Sequence, residues 1–161
     1  MPPPVYRLRM AARRANGDDA PLLARMLHDF NTEFGDPTPG AKVLERRVRA
    51  FIAGNVKNYI LGGDGPDGFA QVSFNPSIWA DEPVGLIEEL YVVPGRRGDG
   101  IGRSIMEAIL DLAREHGAAG MEVITGEDDT AARGLYEAFG FRNQIEGEEN
   151  SRSLFYELEK L

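Results

Sequence analysis

The 161-residue chain carries a formal net charge of -8, is 42% hydrophobic and contains no cysteine. That length and mix suit one globular domain with a real core. They exclude disulfides, thiolate metal sites and a cysteine nucleophile. The two histidines, His28 and His116, lack metal-ligand spacing, so no metal is expected. An acidic balance disfavours nucleic-acid binding, and no apolar run reaches membrane-spanning length. With no signal-type N-terminus, the expectation is a cytoplasmic protein, free of membrane.

In chain order, Val5–Arg14 reads as a first strand. Asp18 or Asp19 is expected to cap a helix with Pro21 in its first turn. Leu22, Leu23, Met26, Leu27, Phe30 and Phe34 form its stripe. GDPTPG (residues 35–40) breaks the chain. A second helix follows, with Leu44, Val48, Phe51 and Ile52 on one face and Gly54 at its end. Strands are predicted at Asn58–Gly62, Gly68–Phe74 and Val84–Val93, with GGDGPDG as the turn between the first two. A third helix covers about Gly100–His116, with Ile101, Ile105, Ile109 and Leu112 inward. Then come a short strand at Gly120–Thr125, a fourth helix capped by Asp128 or Asp129 and running to Phe139, and a closing hairpin from Phe141–Glu146 and Ser151–Leu158. The order β-αα-βββ-α-β-α-ββ gives a mixed α/β (α+β) fold of about seven strands and four helices, in a single domain over residues 1–161.

Between the third predicted strand and the third helix lies VVPGRRGDGIGRS (Val92–Ser104), with four glycines and three arginines in thirteen residues. A strand, a glycine loop and a helix N-terminus make an anion site. The first helical amides lack internal partners, and glycines let main chain approach phosphate. No lysine follows the glycines, as a Walker loop requires. Arg103 occupies the third glycine position of a dinucleotide fingerprint.

The run Arg97-Gly98-Asp99-Gly100-Ile101-Gly102 resembles the [QR]-x-x-G-x-[GA] signature of the GNAT superfamily of acetyl-CoA-dependent N-acetyltransferases. IEELYVVP (residues 87–94) is similar to that fold's fourth strand. Ala131–Phe141 resembles its A-x-x-L-Y-x-x-x-G-F block. The resemblance implies acetyl-CoA as co-substrate. Its pyrophosphate would lie on the amides of Gly98, Asp99, Gly100, Ile101, Gly102 and Arg103, beside Arg97. Its pantetheine would run along the backbone of Leu90, Tyr91 and Val92. Asp129 stands where the family often has Asn, which puts a donor contact to pantetheine in question.

Acetylating an amine requires removal of its ammonium proton, and a carboxylate can take it. Glu88 and Glu89 are the candidates. Strand alternation sets them on opposite faces unless a bulge intervenes, with Glu88 sharing parity with Leu90 and Val92. Resemblance to polyamine-type members favours Glu88 as base and leaves Glu89 as a substrate contact or second candidate. Tyr136 matches the family's tyrosine and would serve as general acid. Without cysteine or a Ser-His pair, transfer would be direct, in a ternary complex. Phe30, Glu33, Phe34 and Trp79 are the expected acceptor contacts, for a small cationic amine. A homodimer is compatible with all of this. A protein lysine or N-terminal acetyltransferase and a non-catalytic acyl-CoA sensor are the alternatives.

Overall fold

The computed structural model describes residues 11–144, 147 and 150–160. Five strands form one sheet in the order β1-β2-β3-β4-β5: β1 Arg13–Arg14, β2 Asn58–Gly62, β3 Gly68–Asn75, β4 Val84–Val92 and β5 Gly120–Val123. β1 to β4 are antiparallel neighbours, and β5 joins β4 in parallel. The described residues also form four α-helices: α1 Ala20–Phe34, α2 Ala41–Ala53, α3 Ile101–Glu115 and α4 Thr130–Ala138. The mixed α/β class and the four helices are as expected.

The expected seven strands are not found, because the described residues give five. Positions 5–10 of the expected first strand lie outside the described residues. So do residues 145 and 146 of the expected closing hairpin. The described parts of that hairpin make one isolated bridge, Gln144 to Arg152, and Leu154, Phe155, Tyr156 and Leu158 are exposed.

Apolar residues on alternate strand positions feed two cores, one on each sheet face. Ile60, Ala70, Val72 and Ile87 pack against Ile101, Ile105, Met106, Ile109 and Leu112 of α3 and Tyr136 of α4. Tyr59, Leu61, Phe69 and Tyr91 pack against Leu23 and Met26 of α1 and Val48 of α2. The predicted stripes hold in α1, α2 and α3, except that Phe34 at the end of α1 is exposed. The entry to α1 differs from expectation. Asn16 caps a short 3-10 turn at Gly17–Asp19, and Asp19 completes a capping box instead of capping α1. Gly35 ends α1 in the left-handed region, its amide bonded to Asn31 and Thr32 carbonyls.

One irregularity in β4 positions the site. Gln71 of β3 pairs with Glu89, but the next residue, Val72, pairs with Ile87. Glu88 is therefore the extra residue of a β-bulge. Ile87, Leu90 and Val92 face α3, and Glu88, Glu89 and Tyr91 all face α1 and α2. This corrects the alternation expected for the pair. The two carboxylates share a face, and Glu88 lies opposite Leu90 and Val92.

Candidate active site

The carboxylate of Glu88 is fully engaged. It pairs with Lys57 and accepts hydrogen bonds from Gln71 Nε2 and from Ser73 Oγ, the latter at 2.7 Å. Burial alone would raise its pKa, but the Lys57, Ser73 and Gln71 contacts outweigh it and hold Glu88 below the usual carboxylate value. Glu89 has the opposite surroundings. Burial, then the charges of Glu88 and Asp36, push its pKa up, and no described side chain hydrogen-bonds its carboxylate. Two adjacent glutamates thus differ in proton affinity.

Glu89 lies in a groove of ≈ 370 Å³ between α1, α2 and the sheet, walled by Leu27, Leu44, Val48 and Phe51, with Asn31, Arg47, Tyr59 and Gln71. Tyr59 donates to Gln71 Oε1 at 2.7 Å, which aims the amide nitrogen of Gln71 at Glu88. Lys57, Tyr59, Gln71, Ser73 and Arg47 were not singled out from sequence. A signal existed for two of them: in GFAQVSFN (residues 68–75) Gln71 and Ser73 interrupt an otherwise apolar, buried strand at alternate positions.

Past Ile87, β4 loses its neighbour on one side. β5 pairs only with Val84–Ile87, while β4 continues to Val92 along β3. The main chain of Leu90–Val92 is bordered on that side by a split in the sheet. The glycine loop and the N-terminus of α3 follow directly. Gly98 and Gly100 have φ of +84° and +85°, and a Cβ built on either would meet nothing within 4 Å. The loop therefore presents main chain to open space in a conformation that side chains disfavour. At Gly102 a Cβ would meet Leu135 at 3.3 Å, so that glycine serves the approach of α3 to α4.

The arginines of the loop are committed to protein. Arg96 bridges Asp64, Asp67 and Asp99, which ties the loop to the β2–β3 turn. Arg97 pairs with Glu33 of α1, donates to the Val92 carbonyl at 2.9 Å and sits over the Tyr91 ring. Arg103 faces Glu107 and the Phe139 ring. Phe30 stacks on Tyr91 with ring centroids 5.0 Å apart. Glu33 is thus engaged by the loop, and Phe34 packs edge-on against Phe30. Trp79, 93% exposed, is not among the groove residues. Asp129 caps α4 by accepting from the Ala132 amide at 3.0 Å. Tyr136, on the α3 side, is 8% exposed and lies 5.9 Å from the Phe141 ring. Burial, with the charges of Asp129 and Glu89, pushes its phenol up to about 12. No described residue bonds its hydroxyl.

A split strand edge, a glycine loop with open main chain and a carboxylate groove on the same strand are the parts of an acyl-transfer site. The Acetyltransferase (GNAT) family model matches residues 23–141. The chain belongs to the GNAT family. It is 34% identical over 124 residues to streptothricin acetyltransferase of Streptomyces lavendulae, covering 76% of this chain and 58% of that protein, less than two thirds of its length. It is 26% identical to thialysine N-epsilon-acetyltransferase of Bos taurus, over 84% of this chain and 86% of that one. A crystal structure from Arthrobacter sp. FB24, assigned as an acetyltransferase, superposes with a TM-score of 0.85 at 43% identity, covering 92% of this chain and 95% of its own. GNAT acetyltransferases use acetyl-CoA, and this chain has their family signature and fold. Among the described residues no cluster of metal-ligating side chains occurs, and no helix is long and apolar enough to cross a membrane.

Proposed function

We propose that this GNAT protein acetylates the primary amine of a small molecule by direct attack, with Glu89 as the base. The observation that carries this reading is the β4 bulge. It sets two neighbouring carboxylates on one face of the sheet, Glu88 paired with Lys57 and Glu89 lining the groove with raised proton affinity. The resemblance to polyamine-type members favours Glu88. Its ion pair and two hydrogen bonds make it a weak proton acceptor, so its role is to hold negative charge behind Glu89.

Acetyl-CoA supplies an acetyl group already activated as a thioester. The main chain of Leu90, Tyr91 and Val92, the loop amides from Gly98 to Arg103 and the first turn of α3 would hold it. Open space at Gly98 and Gly100 supports that fit. Glu89 takes the proton from the acceptor's ammonium, which frees the lone pair. Its raised pKa brings it nearer to that task than an ordinary carboxylate. Tyr136, with its phenol near 12, stays protonated through neutral pH and serves as a donor where the sulfur departs. The groove's ≈ 370 Å³ supports a small acceptor over a peptide chain. The name of the thialysine relative, which specifies an ε-nitrogen, supports an amine.

The test is free-thiol release across an amine panel with single variants. Glu89→Gln is expected to lower kcat by about 10²–10⁴-fold with acetyl-CoA affinity kept. Glu88→Gln should cost less kcat and more stability. Tyr136→Phe should lower kcat by about tenfold or more. Wild-type turnover in Glu89→Gln would remove the base assignment. Acetyl-CoA binding without turnover of any amine would favour the sensor.

A further inference from the structure

The acceptor groove is electrically polar, and its polarity names a substrate class. This inference rests on the amine reading above and refines it. The sheet side of the groove is acidic: Glu89 stands on β4, with Asp36 near enough to raise its proton affinity. The other charged lining residue is Arg47, exposed on α2. Arg47 has no ion-pair or hydrogen-bond partner among the described residues, whereas its helix neighbour Arg49 is held by Glu45 and the Gly17 carbonyl. The nearby cation Lys57 is already consumed by Glu88, with its Nζ 5.9 Å from the Phe51 ring. Glu89 and Arg47 are the charges left for a ligand. The apolar lining is Leu27, Leu44, Val48 and Phe51.

We propose that the acceptor is an amino-carboxylate, its amine directed to Glu89, its carboxylate to Arg47 and its methylene chain along the apolar wall. The two charged residues that line the groove, Glu89 and Arg47, sum to zero, and so does a zwitterion. A diamine would bring its second ammonium to the guanidinium of Arg47, a like-charge contact that selects against it. A carboxylate fits the planar fork of a single guanidinium, and a dianionic group would add uncompensated charge beside an acidic end. The ≈ 370 Å³ lies at the small end for ligand sites, the size of a single amino acid more than of an oligomer.

The experiment compares acceptors matched in chain length: 5-aminopentanoate against putrescine and 6-aminohexanoate against cadaverine. Thiol release gives kcat/KM, and calorimetry on the CoA-saturated protein gives binding. A charge-assisted contact predicts a preference of about 10–100-fold for the amino-carboxylate of at least one pair. Arg47→Ala should erase that preference, lowering kcat/KM for the amino-carboxylate and raising it for the diamine as the like-charge contact is lost. Arg47→Glu should invert it toward the diamine. Both variants should fold, since Arg47 is exposed and supports no described contact. Equal kcat/KM within both pairs, or equal losses on both substrates in Arg47→Ala, would overturn the amino-carboxylate and leave the amine reading standing. If no acceptor is bound or acetylated, the amine reading falls with it.

Discussion

Two halves of the site flank strand β4 and are made of different material. The half proposed for the cofactor is main chain: a split strand edge, loop amides around Gly98 and Gly100, and the first turn of α3. Its arginines are spent on Glu33, Asp64, Asp67 and Asp99, where they fix the loop's shape. The half proposed for the acceptor is side chain: Glu88 held by Lys57, Gln71 and Ser73, with Glu89 and Arg47 left open in an apolar groove. Main chain presents the same donors whatever the side chains are, so it suits a ligand common to a whole family. Side chains can change one at a time, so they suit an acceptor that differs among members.

The sharpest way to break this contrast is at Gly100. Its φ of +85° is costly for any side chain, and a carboxylate there would meet incoming phosphate. Gly100→Asp is expected to weaken acetyl-CoA binding by about 100-fold or more, as strain and repulsion add. Leu90→Val, in the neighbouring strand edge, should leave that affinity within about threefold, because the backbone contact is retained. Calorimetry on both variants decides it. Loss in Leu90→Val with retention in Gly100→Asp would mean that side chains, not main chain, hold the cofactor.

On the acceptor side the sensitive residue is Lys57. Lys57→Met leaves Glu88 half-buried with only Gln71 and Ser73, beside a second carboxylate. The Lys57 and Glu88 side chains are 23% and 18% exposed, so the loss should fall between the surface and fully buried cases, at about 2 kcal/mol. Denaturant unfolding measures it. Acetyl-CoA affinity should hardly move. An equal loss of cofactor affinity would show that the two halves are coupled through β4.

These differences in material also explain what could be read from residues alone. A positive φ has a residue signature, so the glycine loop was visible. Helix stripes such as Ile101, Ile105 and Ile109 were visible because burial repeats with the helix period. The bulge at Glu88 had no such mark. No glycine or proline stands there, and alternation predicted opposite faces for Glu88 and Glu89. The register shift is set by pairing with Gln71 and Val72, a non-local property. Lys57 and Arg47 were missed for the same reason, since their meaning comes only from what α2, β2 and β4 bring together. Trp79, expected as an acceptor contact because an aromatic in a loop can face a cation, is exposed and does not line the groove.

The smallest expected effect tests whether Glu89 is held for chemistry at a cost to the fold. Burial, then Glu88 and Asp36, raise its folded pKa above the unfolded value. The folded state then binds the proton more tightly than the unfolded state, so this group's contribution to stability falls as pH rises through the raised pKa. Below the unfolded carboxylate value both states are protonated and the contribution is flat. Glu89→Gln removes the charge, so the variant should match wild type near pH 4 and melt roughly a degree or two higher at neutral pH. Glu88 predicts the reverse. Its pKa is lowered in the fold, so it stabilises above its unfolded value and loses that contribution as pH falls through the folded one. Glu88→Gln should therefore melt lower at neutral pH, with the gap closing in acid. Melting curves of both variants across pH 4–8 carry the comparison. A Glu89→Gln protein that melts below wild type at every pH would mean that Glu89 is a structural partner and that its proton is not held ready for an acceptor.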